Sequence, residues 1–156
     1  MKKICIILAA LFTLLSLSAC SATDDEVVSA LPKYDSMAAY SSGDFQDYTD
    51  YAKYSYHSVD ENTLTETGYF KKIADADISD ICDYIDNFEQ WVENCGGELL
   101  EKYDFDRSNI SAGDYFHLIT KAGQPIGEGT YDKFDDYSLY YFDMDAQTLY
   151  YFHSNI

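Results

Sequence analysis

The sequence predicts an α+β domain, in which one long amphipathic helix packs on a C-terminal antiparallel β-meander of about four strands. Residues 77–95 carry a single apolar stripe at helical spacing. From Asp114 onward, strand-length segments rich in Tyr, Phe, Leu and Ile follow one another, separated by short turn segments. A helix followed by consecutive strands is typical of an α+β domain whose helix covers one face of the sheet.

The predicted helix has apolar residues at every third or fourth position: Ile78, Ile81, Cys82, Ile85, Phe88, Val92 and Cys95. Asp77 is placed to accept the N-cap hydrogen bond, and Gly96-Gly97 predicts a left-handed stop. Cys82 and Cys95 would lie about 20 Å apart along the helix axis. No disulfide spans that distance, so both are predicted to be free, small core residues.

The predicted meander consists of residues 114–121, 126–134, 137–143 and 148–154. The segments AGQP, DD and MDAQ supply the turns between these strands. A four-residue loop between the last two strands fixes their register, and it places four pairs opposite one another: Phe142 with Leu149, Tyr140 with Tyr151, Tyr141 with Tyr150, and Leu139 with Phe152. The first two pairs share one face of the hairpin, and the other two share the opposite face.

Residues 44–59 support two interpretations. The apolar side chains of Phe45, Tyr48, Tyr51, Ala52 and Tyr56 share one face of a helix, which an aspartate at position 44 would cap. The aromatic content and the local alternation of tyrosines favour a strand instead. We predict a short helix here, with a strand as the alternative.

The charge of the chain restricts its partners. All 28 acidic residues and eight of the ten basic residues follow Cys20, so the formal charge from Cys20 onward is −20. Such a surface repels phosphate backbones and anionic lipid headgroups, which argues against nucleic-acid binding. It suits a cationic partner, or it simply keeps the protein soluble.

The N-terminal residues have the pattern of an export signal. Lys2 and Lys3 precede an apolar run, residues 4–17, that is shorter than the ~18 residues of a spanning helix. The next residues, Leu17-Ser18-Ala19-Cys20, resemble the lipobox of bacterial prolipoproteins. The resemblance implies that Cys20 becomes the lipidated first residue, anchored at the extracytoplasmic face of the cell membrane. The alternative is a plain cleaved signal with a chance cysteine. The remaining chain is similar to small lipoproteins of Gram-positive bacterial surfaces, and that likeness implies no activity.

This resemblance sets the predicted domain organisation. Residues 1–19 are the lipoprotein signal peptide. Residues 20–43 comprise the lipidated cysteine and a flexible tether, because they are rich in Ser, Ala and Asp and lack firm periodicity. Residues 44–156 form a single α+β domain, a length sufficient for one core.

The sequence contains no motif that predicts a catalytic residue, a metal site or a cofactor. Neither a GxSxG elbow nor an HExxH motif occurs, and the glycines of GQPIGEG are interpreted as turn and bulge residues. Asp104, Asp106 and Ser108 begin like a calcium-binding EF-hand loop. The sixth position is Asn109 instead of glycine, and the twelfth is Tyr115 instead of glutamate. A solvated acidic loop is the simpler interpretation.

The tyrosines are the remaining feature of the sequence that indicates a function. All 16 follow the signal peptide, and five lie in the last hairpin. Because a helix covers only one face of that hairpin, we predict a partner surface on the other face, since exposed tyrosine favours recognition. The candidate contact residues are Tyr141 and Tyr150, or Tyr140 and Tyr151 if the helix covers the opposite side. The alternative is that loops or the N-terminal segment cover the second face and make it core.

These observations predict a membrane-anchored, non-enzymatic binding or interaction module. Its predicted partners are the membrane, through lipid on Cys20, and a basic protein or a carbohydrate. One alternative is an inhibitor or immunity-type protein that neutralises a basic protein. Another is a hydrolase with a dispersed carboxylate site, which would need two converged carboxylates in a cleft.

Overall fold

A computed structural model describes residues 25–43 and 47–155 of the chain. The predicted signal peptide and Cys20 lie outside the described residues. The chain divides into two units after Ala30. In the first unit, the described residues hold helix α1 (Glu26–Ser29), whose first-turn N–H groups are capped by the carboxylate of Asp25.

The second unit is an α+β domain built on a six-stranded antiparallel sheet. The strands are β1 (Ser36–Gly43), β2 (Tyr48–Ser55), β3 (Lys71–Lys72), β4 (Tyr115–Thr120), β7 (Asp136–Asp143) and β8 (Thr148–Asn155). They lie in the order β1-β2-β8-β7-β4-β3. Two further strands, β5 (Pro125–Ile126) and β6 (Gly129–Thr130), pair only with each other. The helices are α2 (Glu61–Glu66), α3 (Asp75–Cys95) and α4 (Gly97–Lys102), followed by a 3-10 turn at Arg107–Asn109.

The long helix is confirmed as α3, although it begins earlier than predicted. Ala74 occupies the N-cap, and Asp77 lies three residues further on, where its carboxylate accepts a hydrogen bond from the Ala74 N–H at 2.9 Å. Asp77 therefore stabilises the helix start from inside the first turn. At the other end, Gly96 adopts a φ of 65°, as expected of a left-handed stop.

We call the sheet face under α3 the inner face and the opposite one the outer face. Phe88 of α3 packs on the inner face against Tyr51 of β2 and Phe152 of β8, with ring centroids 6.4 and 5.3 Å apart. On the same face, Tyr137 of β7 donates its hydroxyl to the Tyr84 carbonyl at 2.9 Å. The main core therefore lies between α3 and the central strands.

The register of the last hairpin is confirmed. Strands β7 and β8 pair Phe142 with Leu149, Tyr140 with Tyr151, Tyr141 with Tyr150, and Leu139 with Phe152. Their position differs from that of a terminal meander, because β8 pairs with β2 on its other side. The hairpin is consequently the centre of the sheet.

Three predicted elements are wrong. Residues 126–134 do not form one strand, because the chain reverses at Gly127, with φ 55°, between β5 and β6. The segment predicted as a short helix contains β2, so the strand alternative holds there. Residues 36–43 form β1 and belong to the sheet, so the predicted tether is too long at its C-terminal end.

The cysteines of α3 only partly follow prediction. Both Cys82 and Cys95 are free. Cys82 is partly buried against the core, whereas Cys95 at the last position of α3 is exposed. Cys95 is therefore not a core residue; it lies beside the end of β1, where it lines a shallow depression together with Ser42 and Gly43.

Candidate functional site

The structure buries the two predicted contact tyrosines of β7. Tyr141 is 0% exposed on the inner face and Tyr140 is 4% exposed on the outer face. Neither side chain presents a surface to a partner, so both are core residues. Of the predicted contacts, only Tyr150 and Tyr151 of β8 remain half-buried.

Tyr141 forms part of a buried polar network. Its hydroxyl donates to Asp114 at 2.7 Å and to the Asn109 carbonyl at 3.1 Å. Burial and the neighbouring Asp114 carboxylate together hold the pKa of Tyr141 well above its usual value. Asp114 also accepts from Ser111 and from the Met144 N–H, so this carboxylate ties the chain before β4 to the β7–β8 turn.

Tyr150 lies on the inner face beside the core. Its ring packs edge-on against Phe105, with centroids 4.8 Å apart, and it stacks on Tyr141 at 6.1 Å. Burial raises the pKa of Tyr150, and the charge of Asp143 adds to this effect. Its role is therefore packing at the rim of the inner face.

The outer face is covered at one end only. The segment 56–70, which contains α2, lies over this end and buries Val59, Leu64 and Phe70. Gln147 fixes the cover in place, because its side chain accepts from the Val59 N–H and donates to the Val59 carbonyl at 3.3 Å. Gln147 has a φ of 51°, in the left-handed region, and it lies in the β7–β8 turn.

The other end of the outer face carries an aromatic strip, which we define as Tyr48, Tyr151 and His153. The Tyr48 and His153 rings are 5.1 Å apart, and the Tyr151 and His153 rings lie 6.2 Å apart with planes within 5°. All three side chains are half-buried. The register places Ser138 on one side of His153 and Asp50 on the other. The strip is thus a continuous aromatic surface with polar neighbours.

His153 is held in one orientation by β7. Its Nδ1 lies 2.8 Å from the Tyr137 carbonyl oxygen and 2.9 Å from Ser138 Oγ. Because a carbonyl oxygen only accepts, this geometry assigns a proton to Nδ1. The same nitrogen then has no lone pair for the Ser138 proton, so the pair lacks the base–nucleophile arrangement of a hydrolase. In the neutral ring, Nε2 is left as an acceptor.

Asp104 and Asp106, which begin the segment that resembles a calcium-binding loop, are engaged in structural contacts. Asp106 accepts from the Ser108 N–H at 2.9 Å, and Asp104 accepts from the Tyr51 hydroxyl at 2.8 Å and pairs with Lys53. Partial burial acts to raise the pKa of Asp104, but the hydrogen bonds from Lys53 and Tyr51 outweigh it and lower that pKa. In residues 25–43 and 47–155, no group of three or more potential ligands could hold a metal ion.

A shallow depression of about 460 Å³ lies beside α3 and is lined in part by Asp83, Asp86 and Phe134. It brings two carboxylates to one place, which is the arrangement expected of a dispersed hydrolase site. Asp83 pairs with Lys133 at 3.1 Å, and Asp86 pairs with Arg107. Both carboxylates therefore already have cationic partners within the protein.

Sequence reasoning missed two members of the strip. His153 lies two residues after Tyr151 in the same strand, so period-two alternation already places both on one face. Tyr48 gave no usable signal, because its segment was predicted to be helical. Only the pairing of Tyr48 with Asn155 brings it beside His153.

Comparisons of the chain with protein-family models, with curated proteins and with solved structures found no match. Within the described ranges, every helix is too short or too polar to cross a membrane.

Proposed function

We propose that this chain is a lipid-anchored, non-enzymatic binding protein of the extracytoplasmic face of the cell membrane, with the aromatic strip as its ligand surface. The observation that carries the proposal is the half-open outer face. Segment 56–70 buries one end of that face, whereas Tyr48, Tyr151 and His153 keep solvent access at the other. Tyrosine combines apolar area with a polar hydroxyl and loses little conformational freedom on binding.

The proposed anchor rests on the lipobox resemblance of Leu17-Ser18-Ala19-Cys20. The measurement is mass spectrometry of the N-terminal peptide from the membrane fraction. We expect a chain that begins at Cys20 and carries lipid. Cys20→Ala should leave unprocessed or released chain without lipid. An unmodified N-terminus, produced by cleavage elsewhere in the wild type, would contradict the anchor.

The proposed ligand is a basic protein. The formal charge of −20 from Cys20 onward attracts cationic partners, and Asp50 lies beside His153 at the strip. His153 Nε2 adds an acceptor for lysine, arginine or hydroxyl donors. Long-range electrostatic attraction would speed the association of the partner, and contact with the aromatic rings would slow its dissociation.

Differential capture tests the strip. The full-length chain is immobilised, exposed to an extracytoplasmic extract, and compared with Tyr48→Ser/Tyr151→Ser. The matched control is Tyr131→Ser, which removes another half-buried tyrosine near the β5–β6 hairpin. We expect a basic protein to bind the wild type and the control about tenfold or more better than the strip variant. Equal capture by all three would show that the strip is not the ligand surface.

A carbohydrate is the second candidate, because aromatic rings beside polar side chains also suit sugars. Ser138 and Asn155 are the polar neighbours on the outer face. Raising the salt concentration separates the two ligand classes. Binding to a basic protein should weaken strongly with salt, whereas binding of a neutral polysaccharide should change little.

A further inference from the structure

The two edges of the sheet are protected very differently. At one edge, β3 is only two residues long and both are lysines, Lys71 and Lys72. Short, charged strands are a known defence against edge-to-edge pairing. At the other edge, β1 runs for eight residues, and no strand among the described residues pairs with its free side.

Strand β1 lacks the charged residues and prolines that usually protect a sheet edge, although helix α4 lies close to it. Its sequence, SMAAYSSG, contains neither a charge nor a proline, in a chain that is 24% charged. Its outer-face side chains are exposed, and Met37 retains 40% of its surface. Tyr40 on the inner face is packed against the core and holds β1 in the sheet. An uncharged strand whose outer edge is left unpaired by the described residues is a template for strand addition.

We propose that β1 pairs antiparallel with β1 of a second copy of this chain, across a two-fold axis at Ala39. Two six-stranded sheets would thereby join into one continuous sheet of twelve strands. Paired residues in an antiparallel ladder lie on the same face of the sheet. A two-fold axis perpendicular to the sheet must therefore lie midway between one residue and the same residue of the second copy. The inference is independent of the ligand-binding role of the strip.

The sequence of β1 is complementary to its own reverse. With Ala39 on the axis, the paired residues are Met37 with Ser41, Ala38 with Tyr40, and Ser36 with Ser42. Each large side chain therefore meets a small one on the same face. Centring the axis on Tyr40 would instead place two tyrosines directly opposite. Axes at Ala39 and Tyr40 each pair seven residues of β1, more than any other axis, and size complementarity then selects Ala39.

Charge also favours a second copy over a basic partner at this edge. In a symmetric pair, any charged residue near the axis would lie close to its own copy, which destabilises the ladder. The absence of charge from β1 is what a self-pairing strand requires. A cationic partner would be better met by acidic residues, which this chain has in abundance elsewhere.

Disulfide trapping tests the register in the full-length chain, purified in mild detergent. Cys95 is exposed, so Cys95→Ser serves as the parent. In Ala39→Cys, the Cα atoms of the two introduced cysteines would lie about 4.5–5.5 Å apart across the axis, within disulfide range. In Ser41→Cys, they would be separated by about 13 Å along the strand. We expect a reducible dimer for Ala39→Cys well above the levels of the parent and of Ser41→Cys.

Sedimentation tests the interface without cross-linking. Ala39→Lys places two positive charges opposite each other and should weaken self-association at least tenfold, leaving monomer. Ile126→Lys is the matched control, because it adds the same charge at an exposed site in β5. It should stay dimeric. Circular dichroism confirms that both variants remain folded.

Several outcomes would overturn the proposal. These are a monomeric wild type at all accessible concentrations, equal trapping by Ala39→Cys and Ser41→Cys, or a folded Ala39→Lys protein that remains dimeric. If the same oxidation is carried out in the membrane extract before purification, trapping of Ala39→Cys to a different protein would assign the edge to another partner and equally reject self-pairing.

Discussion

The inner and outer faces of the sheet carry similar side chains but have different surroundings. On the inner face, Tyr51, Tyr137 and Tyr141 are each at most 1% exposed beneath α3 and its neighbours. On the outer face, the cover ends halfway, and Tyr48 and Tyr151 keep access to solvent. The comparison teaches that the role of a tyrosine in this sheet depends on what covers its own face, which the residue type alone does not reveal.

Raising the pH should give the largest loss of folding stability, because the buried tyrosines of the inner face resist ionisation in the folded protein. Burial, with added hydrogen bonds or charges, raises the pKa of Tyr51, Tyr137 and Tyr141 well above the usual value of about 10. The unfolded chain therefore loses these protons first, so stability is complete below about pH 10 and falls as pH rises toward the folded-state pKa. At about pH 11 the three groups together cost about 4 kcal/mol.

Tyrosinate absorbance recorded beside far-ultraviolet circular dichroism checks this prediction. Tyr51, Tyr137 and Tyr141 should ionise only as the helix signal is lost. Ionisation of every tyrosine with unchanged circular dichroism would show that the inner face is open to water.

Phe88→Ala should cause a loss of stability of similar size. Phe88 is 0% exposed and lies against Tyr51 and Phe152, so truncation leaves a cavity under α3. We expect the free energy of unfolding in urea to fall by about 3–5 kcal/mol. The control is Ile119→Ala on the outer face, where the residue is 49% exposed and the expected change is under about 1 kcal/mol. Similar losses for both would contradict the difference between faces.

The sequence predicted best where one face of an element is buried and the other is wet. Helix α3 has that character, so its stripe indicated most of its course, and Gly96-Gly97 indicated its end. The β7–β8 register followed from the turn length alone, because hairpin pairing is local.

A strand at β2 was predicted only as the alternative, because residues 51–54 of this interior strand are covered on both faces. Tyr51 packs inward, while Ala52 and Tyr54 are buried on the outer face. Burial on both sides removes the polar–apolar alternation, and the tyrosines at three- and four-residue spacing imitate a helix. Strand β1 gave no signal because its small side chains have little strand preference, and its pairing with β2 supplies the order.

The candidate site was predictable only in part for a related reason. Tyr151 was named as an alternative contact, but which face α3 would cover was open. Tyr48 joins the strip through the β2–β8 pairing, which links residues about a hundred positions apart. Such non-local contacts leave no local pattern in the sequence.

Tyr141→Phe should sharpen the comparison at smaller cost. The ring remains, but the hydroxyl that donates to the buried Asp114 is lost. Leaving that acceptor one donor short should lower the free energy of unfolding by about 1–3 kcal/mol. Tyr151→Phe on the outer face is the matched control, with an expected change of under about 0.5 kcal/mol. Urea unfolding measures both, and a larger loss from Tyr151→Phe would reverse the assignment of the buried network.

The most direct test compares the free energies of unfolding of Tyr48→Ser/Tyr151→Ser and Tyr141→Ser in urea. If the strip is open surface, the double variant should lose less than about 1 kcal/mol per residue, because little area is removed from the core. Tyr141→Ser should lose at least about 3 kcal/mol, from the cavity and from the hydrogen-bond donor that the buried Asp114 loses. Equal losses per residue, or unfolding of the strip variant, would mean that the outer face is core and that no ligand surface exists there.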